Sequence, residues 1–210
     1  MKTSYKIIIA IVILFISIES GNLIKGSSIY VLITLIILAL LINYIISIYN
    51  DLVAKRNQVK NAWSKIDVQL KRRTDLIPNL VEVVKGYAKH ESETFDKVSQ
   101  ARASLMNAKS MSDIHKSNSQ LSRSLVSLYA IAERYPELKA NSNFLDLQRQ
   151  LSETEDKIAI YREKYNNFVL IYNNRCEQFP SNLVAGIFGF KIANFIESSK
   201  EEKNVPNVQF

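Results

Sequence analysis

The sequence predicts an all-α protein: an N-terminal transmembrane helix, single or paired in a two-helix hairpin, leading into an antiparallel four- to five-helix bundle of long helices. Three observations carry this expectation. The 210 residues include five Gly and four Pro, fewer than the tight turns of a sheet protein of this size demand. No charged residue occurs from Ile29 through Asn50. Beyond that stretch, apolar residues recur at alternating steps of four and three, the pattern of helices that bury one stripe against their neighbours.

The charge-free stretch defines the membrane element, residues 28–49. About 20 apolar residues at about 1.5 Å rise cross a hydrocarbon core of about 30 Å. Tyr30, Tyr44 and Tyr49 lie near its ends, where aromatic rings with a polar tip settle at the water interface. An earlier apolar run, residues 7–18, follows Lys2 and Lys6 within an N-terminal segment, residues 1–27. Three readings stand for it: a first membrane span, the hydrophobic part of a cleaved signal peptide, or an interfacial stretch. Ile18-Glu19-Ser20-Gly21 makes a poor cleavage site. The main span is followed closely by Lys55, Arg56 and Lys60, which by the positive-inside rule places the following bundle on the cytoplasmic face of the cell membrane.

The bundle is expected over residues 50–197, with a disordered tail over 198–210. A first stripe runs Leu52, Arg56, Val59, Trp63, Ile66, Leu70, Arg73 and Ile77. Asp75 and Pro78 mark a break or kink, since proline suits the first turn of a new helix. A second stripe runs Ile77, Val81, Val84, Ala88, Glu91, Phe95, Val98, Arg102 and Leu105. Residues 107–112 read as a loop, with Ser112 capping a third helix that carries Ile114, Asn118, Leu121, Leu125, Leu128, Ala132 and Tyr135. Asn141 or Ser142 caps a fourth, whose stripe runs from Phe144 through Leu151, Thr154, Ile158, Tyr165 and Tyr172 to Phe179. Ser181 caps a short last helix from Asn182 to about Glu197.

Charges within these stripes are the most informative polar residues. Arg56, Arg73, Glu91 and Arg102 occupy positions where coiled coils place apolar side chains. Either they form a buried polar layer, in which the arginines meet a carboxylate such as Glu91, Asp67 or Glu155 because an unpaired buried charge is expensive, or each helix rotates and the long stems carry the charges to water. The run Lys71-Arg72-Arg73 reads as a solvated face. On a straight helix Lys71 lies about 33 Å past Tyr49, well outside a Debye length of about 8 Å, so attraction to lipid heads is confined to Lys55, Arg56 and Lys60.

No catalytic or cofactor constellation emerges. His90-Glu91 lacks the second histidine that a zinc helix needs one turn on, where Thr94 stands, and His115 is the other histidine of the chain. Glu82, Glu91, Glu153, Glu155 and Asp156 lack the Glu-x-x-His pattern of two-metal bundles. Cys176 has no nearby histidine and reads as an inert, partly buried thiol. Phosphate-cradling glycine motifs are missing. The net charge of +7 is dispersed, which suits an anionic membrane surface better than a nucleic acid. No metal, no cofactor, no nucleic acid and no small-molecule substrate are expected.

Several strings carry a resemblance. They are Tyr49-Asn50-Asp51-Leu52-Val53 with Arg56-Asn57; Ala62-Trp63-Ser64-Lys65-Ile66-Asp67-Val68-Gln69-Leu70-Lys71-Arg72-Arg73; and Asp75-Leu76-Ile77-Pro78-Asn79-Leu80-Val81 with Lys85-Gly86-Tyr87. Tyr135-Pro136-Glu137-Leu138-Lys139-Ala140-Asn141, Phe144, Leu147-Gln148, Tyr165-Asn166 and Phe179-Pro180-Ser181 continue the series. Together, across roughly residues 46–197, they resemble the bacterial LemA family. The resemblance implies a membrane-anchored antiparallel helical bundle with no established catalytic residues, and usually one N-terminal span, from which the run at 7–18 departs. The expected function is that of a structural or protein-interaction module, not an enzyme, acting on the lipid bilayer and on an unidentified protein partner or a second copy of itself. The alternative is a metal-binding or enzymatic bundle that uses core carboxylates.

Overall fold

The computed structural model describes residues 27–196, with side chains from residue 33 onward. The expectations for the run at 7–18 and the tail at 198–210 lie outside the described residues. Every regular element among the described residues is helical: α1 (Ser27–Tyr87), α2 (Ser92–Asn107), α3 (Met111–Arg134), α4 (Pro136–Lys139), α5 (Ser142–Glu177) and α6 (Ser181–Ile187). The chain divides into two compact units, one ending at Asp51 and the other beginning at Leu52.

In the first unit, α1 is long and apolar enough to cross a membrane, and nearly all of its apolar window is exposed. Leu40, for instance, keeps 66% of its surface open. An apolar helix exposed on every face has hydrocarbon, not water, as its fitting solvent.

In the second unit, α1, α2, α3 and α5 bury one stripe each. Leu52, Ile66, Ile77, Leu80 and Val84 from α1 join Phe95, Val98, Leu121, Leu128, Ile158 and Val169 in the core. Helix α5 is antiparallel to α1. Trp63 meets Tyr165 edge-on at 5.9 Å between ring centroids, and Arg73, further along α1, pairs with Glu155, equally far back along α5. Tyr129 of α3 meets Phe144 of α5 edge-on at 6.3 Å.

The expected break at Asp75–Pro78 is not where α1 ends. Pro78 lies inside the helix, which continues to Tyr87, and the chain turns instead at residues 88–91. Proline has no N–H for the carbonyl one turn earlier, that of Thr74. Arg102 fills this gap from α2: its Nε donates to the Thr74 carbonyl at 2.8 Å. A side chain from the neighbouring helix thus replaces the missing backbone bond, and α1 runs on. Sequence signals for the real stop exist in Gly86 and in Lys85, Lys89 and His90 around the last turn. Replacing Arg102 by Met should cost about 1–3 kcal/mol by orphaning that carbonyl. Adding Pro78→Ala should recover most of the loss by restoring the N–H, a coupling readable in a double-mutant cycle of urea midpoints.

Caps fix the other helix starts. Ser110, not Ser112, caps α3, accepting from the Asp113 N–H at 3.0 Å. Asn141 caps α5, accepting from the Phe144 N–H at 3.0 Å. The last helix is shorter than expected: α6 stops at Ile187, and Gly189, with φ +69°, turns the chain into a non-helical strap over residues 190–196. Glycine takes that left-handed backbone without the Cβ clash that other residues meet.

Candidate functional site

The polar centre of the bundle is built around Arg73. Its side chain is 4% exposed. Nη1 donates to Asn118 Oδ1 at 2.7 Å and pairs with the Glu155 carboxylate, and Nη2 donates to Ser122 Oγ at 2.9 Å. Three helices therefore converge on one guanidinium, whose planar fork supplies several donors in fixed directions. Ser122 Oγ in turn donates to the Asn118 carbonyl at 3.2 Å, and the hydroxyl of buried Thr154, beside Glu155 on α5, donates to the Leu151 carbonyl at 2.7 Å. Burial pulls Arg73 down from its ordinary value, and the Glu155 carboxylate opposes that shift. An arginine remains cationic through such a shift. Burial also raises Tyr129, next to this centre.

The other charges of the stripes lie apart from this centre. Arg56 is exposed, its guanidinium carbon 5.1 Å from the centroid of the Phe190 ring. Asp67 is exposed and lines a surface hollow with Leu70, Lys71 and Thr74. Glu91 pairs with Arg134 at 2.8 Å at the opposite end of α3 from Asn118. Arg102 serves the Thr74 carbonyl. Of the six residues proposed from sequence, the structure brings Arg73 and Glu155 together and separates the rest. The basic run is not one solvated face either: Lys71 and Arg72 are exposed while Arg73 is buried.

A second polar system holds the strap along α5. The Asn173 amide grips one residue by both backbone groups: Nδ2 donates to the Ala193 carbonyl at 2.9 Å and Oδ1 accepts from the Ala193 N–H at 2.8 Å. Asn166 repeats the grip on Ile196, at 2.9 Å in each direction. Tyr172 donates to the Lys191 carbonyl at 2.9 Å and Tyr165 to the Asn194 carbonyl at 3.0 Å. Sequence reasoning placed the tyrosines in the stripe and missed the asparagines. The signal was present as a Tyr-Asn pair repeated one heptad on, at 165–166 and 172–173.

Burial pushes Tyr172 up from 10.0 to about 12, and it raises Tyr165 as well. The unfolded chain therefore releases these protons first as pH rises. Stability present below pH 10 is lost between pH 10 and about 12. Tyr172→Phe should flatten that decline in thermal midpoints measured from pH 9 upward.

Chemically, neither system is poised to react. The carboxylate of the polar centre is committed to an arginine, and burial raises the Cys176 thiol, which disfavours its nucleophilic form. Among the described residues no three His, Cys, Asp or Glu gather as a metal set. Glu153 is held by Arg149, and Glu82 and Asp156 face solvent.

An exposed apolar N-terminal helix joined to an all-helical bundle, its buried charge locked between helices, defines a class of membrane-anchored helical proteins. The LemA family model matches residues 62–210, and the chain belongs to that family. It is similar to Protein LemA of Metamycoplasma hominis, 30% identical over 65% of this chain and 63% of that protein. It is also similar to the magnetosome proteins MamQ 2 of Paramagnetospirillum magneticum and MamQ of Magnetospirillum gryphiswaldense, each 26% identical over 71% of this chain and over 64% and 62% of those proteins respectively. The chain thus spans somewhat less than two thirds of these relatives' length. Their names specify no reaction.

Proposed function

We propose that this chain is a tethering and interaction module: α1 anchors it in the cell membrane, and the bundle stands at the cytoplasmic face, where it binds a protein partner or a second copy of itself and catalyses no reaction. The observation that carries this reading is the exposed, charge-free run of α1 leading directly into a helical unit. Lys55, Arg56 and Lys60 just past that run support the cytoplasmic side. The polar centre supports a structural role, because its buried cation on α1 is engaged by groups of two other helices, α3 and α5. Two relatives are named as magnetosome proteins and not for a reaction, which favours a non-catalytic role.

Membranes extracted with alkaline carbonate test the anchor: the chain should stay in the pellet. Thiol labelling from either side of the membrane, on Cys176→Ser protein carrying Met106→Cys, should modify the bundle from the cytoplasmic side alone. Labelling from outside sinks the orientation, and release into the carbonate supernatant sinks the anchor.

A further inference from the structure

The antiparallel register of α1 and α5 identifies which end of the bundle adjoins the span. Trp63 faces Tyr165 and Arg73 faces Glu155. Stepping the other way, Tyr172 donates to the carbonyl of Lys191, next to Phe190, whose ring centroid lies 5.1 Å from the Arg56 guanidinium carbon. The same register sets Cys176, close to the end of α5, level with Leu52. Whatever angle the bundle takes to the span, Leu52 is two residues from Asn50, within about 7 Å along the chain. By covalent connection alone, the end of the bundle that holds Leu52, the last turn of α5 and α6 is the end joined to the span. The return of Phe190 to Arg56 confirms that the turn after α6 belongs to this end.

That end carries an unusual surface. Helix α6 buries Ser181, Val184 and Ala185 and turns its other face outward. Leu183, Phe188 and Ile192 are each more than half exposed, and Ile187 is 79% exposed. From Leu183 to Ile192 the sole charge is Lys191. Arg56 and Lys191, both exposed, lie around this apolar face. Apolar side chains rimmed by cations on a short helix make the pattern that settles into the headgroup–acyl boundary of anionic bilayers. Comparable exposure at Val126 is a single apolar residue on a charged helix; here Ile187 and Phe188 are adjacent and Leu183 lies one turn before Ile187.

We propose that α6 and the turn that follows it form a second membrane contact, inserting Leu183, Ile187 and Phe188 into the interfacial zone of an anionic bilayer while Arg56 and Lys191 meet lipid phosphates. This contact rests on the anchor reading and adds to it. It fixes the bundle against the membrane surface at two points, so that the anchor helix does not act as a free swivel. The strap then runs from the inserted turn up along α5, tying the contact to the body of the bundle through Asn173 and Asn166.

The test uses the full chain in proteoliposomes of phosphatidylcholine and phosphatidylglycerol. Cys176 is replaced by Ser, and an environment-sensitive fluorophore is attached at Ile187→Cys or, as reference, at Val126→Cys on α3, beyond the level of Arg73. Both native side chains are exposed, so neither label enters the core, and thermal midpoints confirm folding. The label at 187 should emit to the blue and be quenched several-fold more by lipids with spin-labelled acyl chains than the label at 126. Iodide in the water should show the opposite order, and removing phosphatidylglycerol should weaken the difference. Equal quenching at the two sites overturns the proposal. So does a blue shift that follows protein density per vesicle but not the spin-labelled lipid, since a second copy then covers the face. Protein that stays in the carbonate pellet yet shows no lipid quenching at 187 overturns this contact alone, whereas release into the carbonate supernatant overturns the anchor.

Discussion

Glu155→Ala is expected to lower the unfolding free energy by about 3 kcal/mol, the low end of the range for removing one partner of a buried ion pair. The asymmetry of the pair sets this figure. Arg73 is 4% exposed, while the Glu155 side chain keeps 47% of its surface in water, though Oε2, which faces Arg73, is buried. Removing Glu155 strands a cation that has no route to solvent, with Asn118 and Ser122 offering dipoles but no charge. Removing Arg73 instead leaves a carboxylate that turns outward. Arg73→Met should therefore cost less, through the unpaired Asn118 amide oxygen, at about 1–3 kcal/mol. The double variant Arg73→Met with Glu155→Leu should lie well above Glu155→Ala in stability, because a matched apolar pair strands no charge. Urea denaturation of the four proteins checks the order, and a Glu155→Ala protein as stable as the unaltered one would show that the dipoles suffice.

How much of this was legible beforehand differs from level to level. The helical class, the span and the four long stripes followed from period and composition, because burial of one face is written into every turn of a helix. The end of α1 did not, since Pro78 obeys a local rule that Arg102 overrides from another helix. Sequence offers no view of such a rescue: it joins residues distant in the chain. The polar layer was legible in kind and not in membership. Glu91 and Arg102 occupy heptad positions yet serve an exposed pair and a backbone carbonyl, and Asn118, which binds Arg73, stands in its stripe with nothing local to set it apart. The end of the chain misled most. Asn182 to Glu197 holds two glycines, Gly186 and Gly189, but no proline, and local signals alone favour a helix there. The deciding interactions come from Asn166 and Asn173 on α5, which offer the strap backbone partners in place of its own helical ones.

Those two asparagines give the second large expectation. They stand one heptad apart on α5, about 10.5 Å along the axis at 1.5 Å per residue. They grip Ala193 and Ile196, a separation that extended chain covers at about 3.3 Å per residue, or about 10 Å. Helix and strap are therefore commensurate over this interval, and neither grip depends on the side chain of the residue held, since both backbone groups are used. Replacing both asparagines by Ala removes all four hydrogen bonds and leaves Tyr165 and Tyr172 to hold carbonyls only. Hydrogen exchange at the Ala193 and Ile196 amides should then accelerate by at least about two orders of magnitude, as each lost amide bond contributes about 1–1.5 kcal/mol to closing. The amides toward the C-terminal end of α3, around Leu128, should keep their protection, because the buried strap residue Ile196 sits at the other end of that helix, lining a hollow with Met111, Ile114 and Asn118. Asn173→Asp separates recognition from mere occupancy. Its carboxylate still accepts from the Ala193 N–H but sets a second oxygen against the Ala193 carbonyl, so exchange at Ala193 should rise at least as far as in Asn173→Ala. Protection unchanged in the aspartate variant would mean that the strap is held by the buried Ile196 side chain, with the amide grip following from its position.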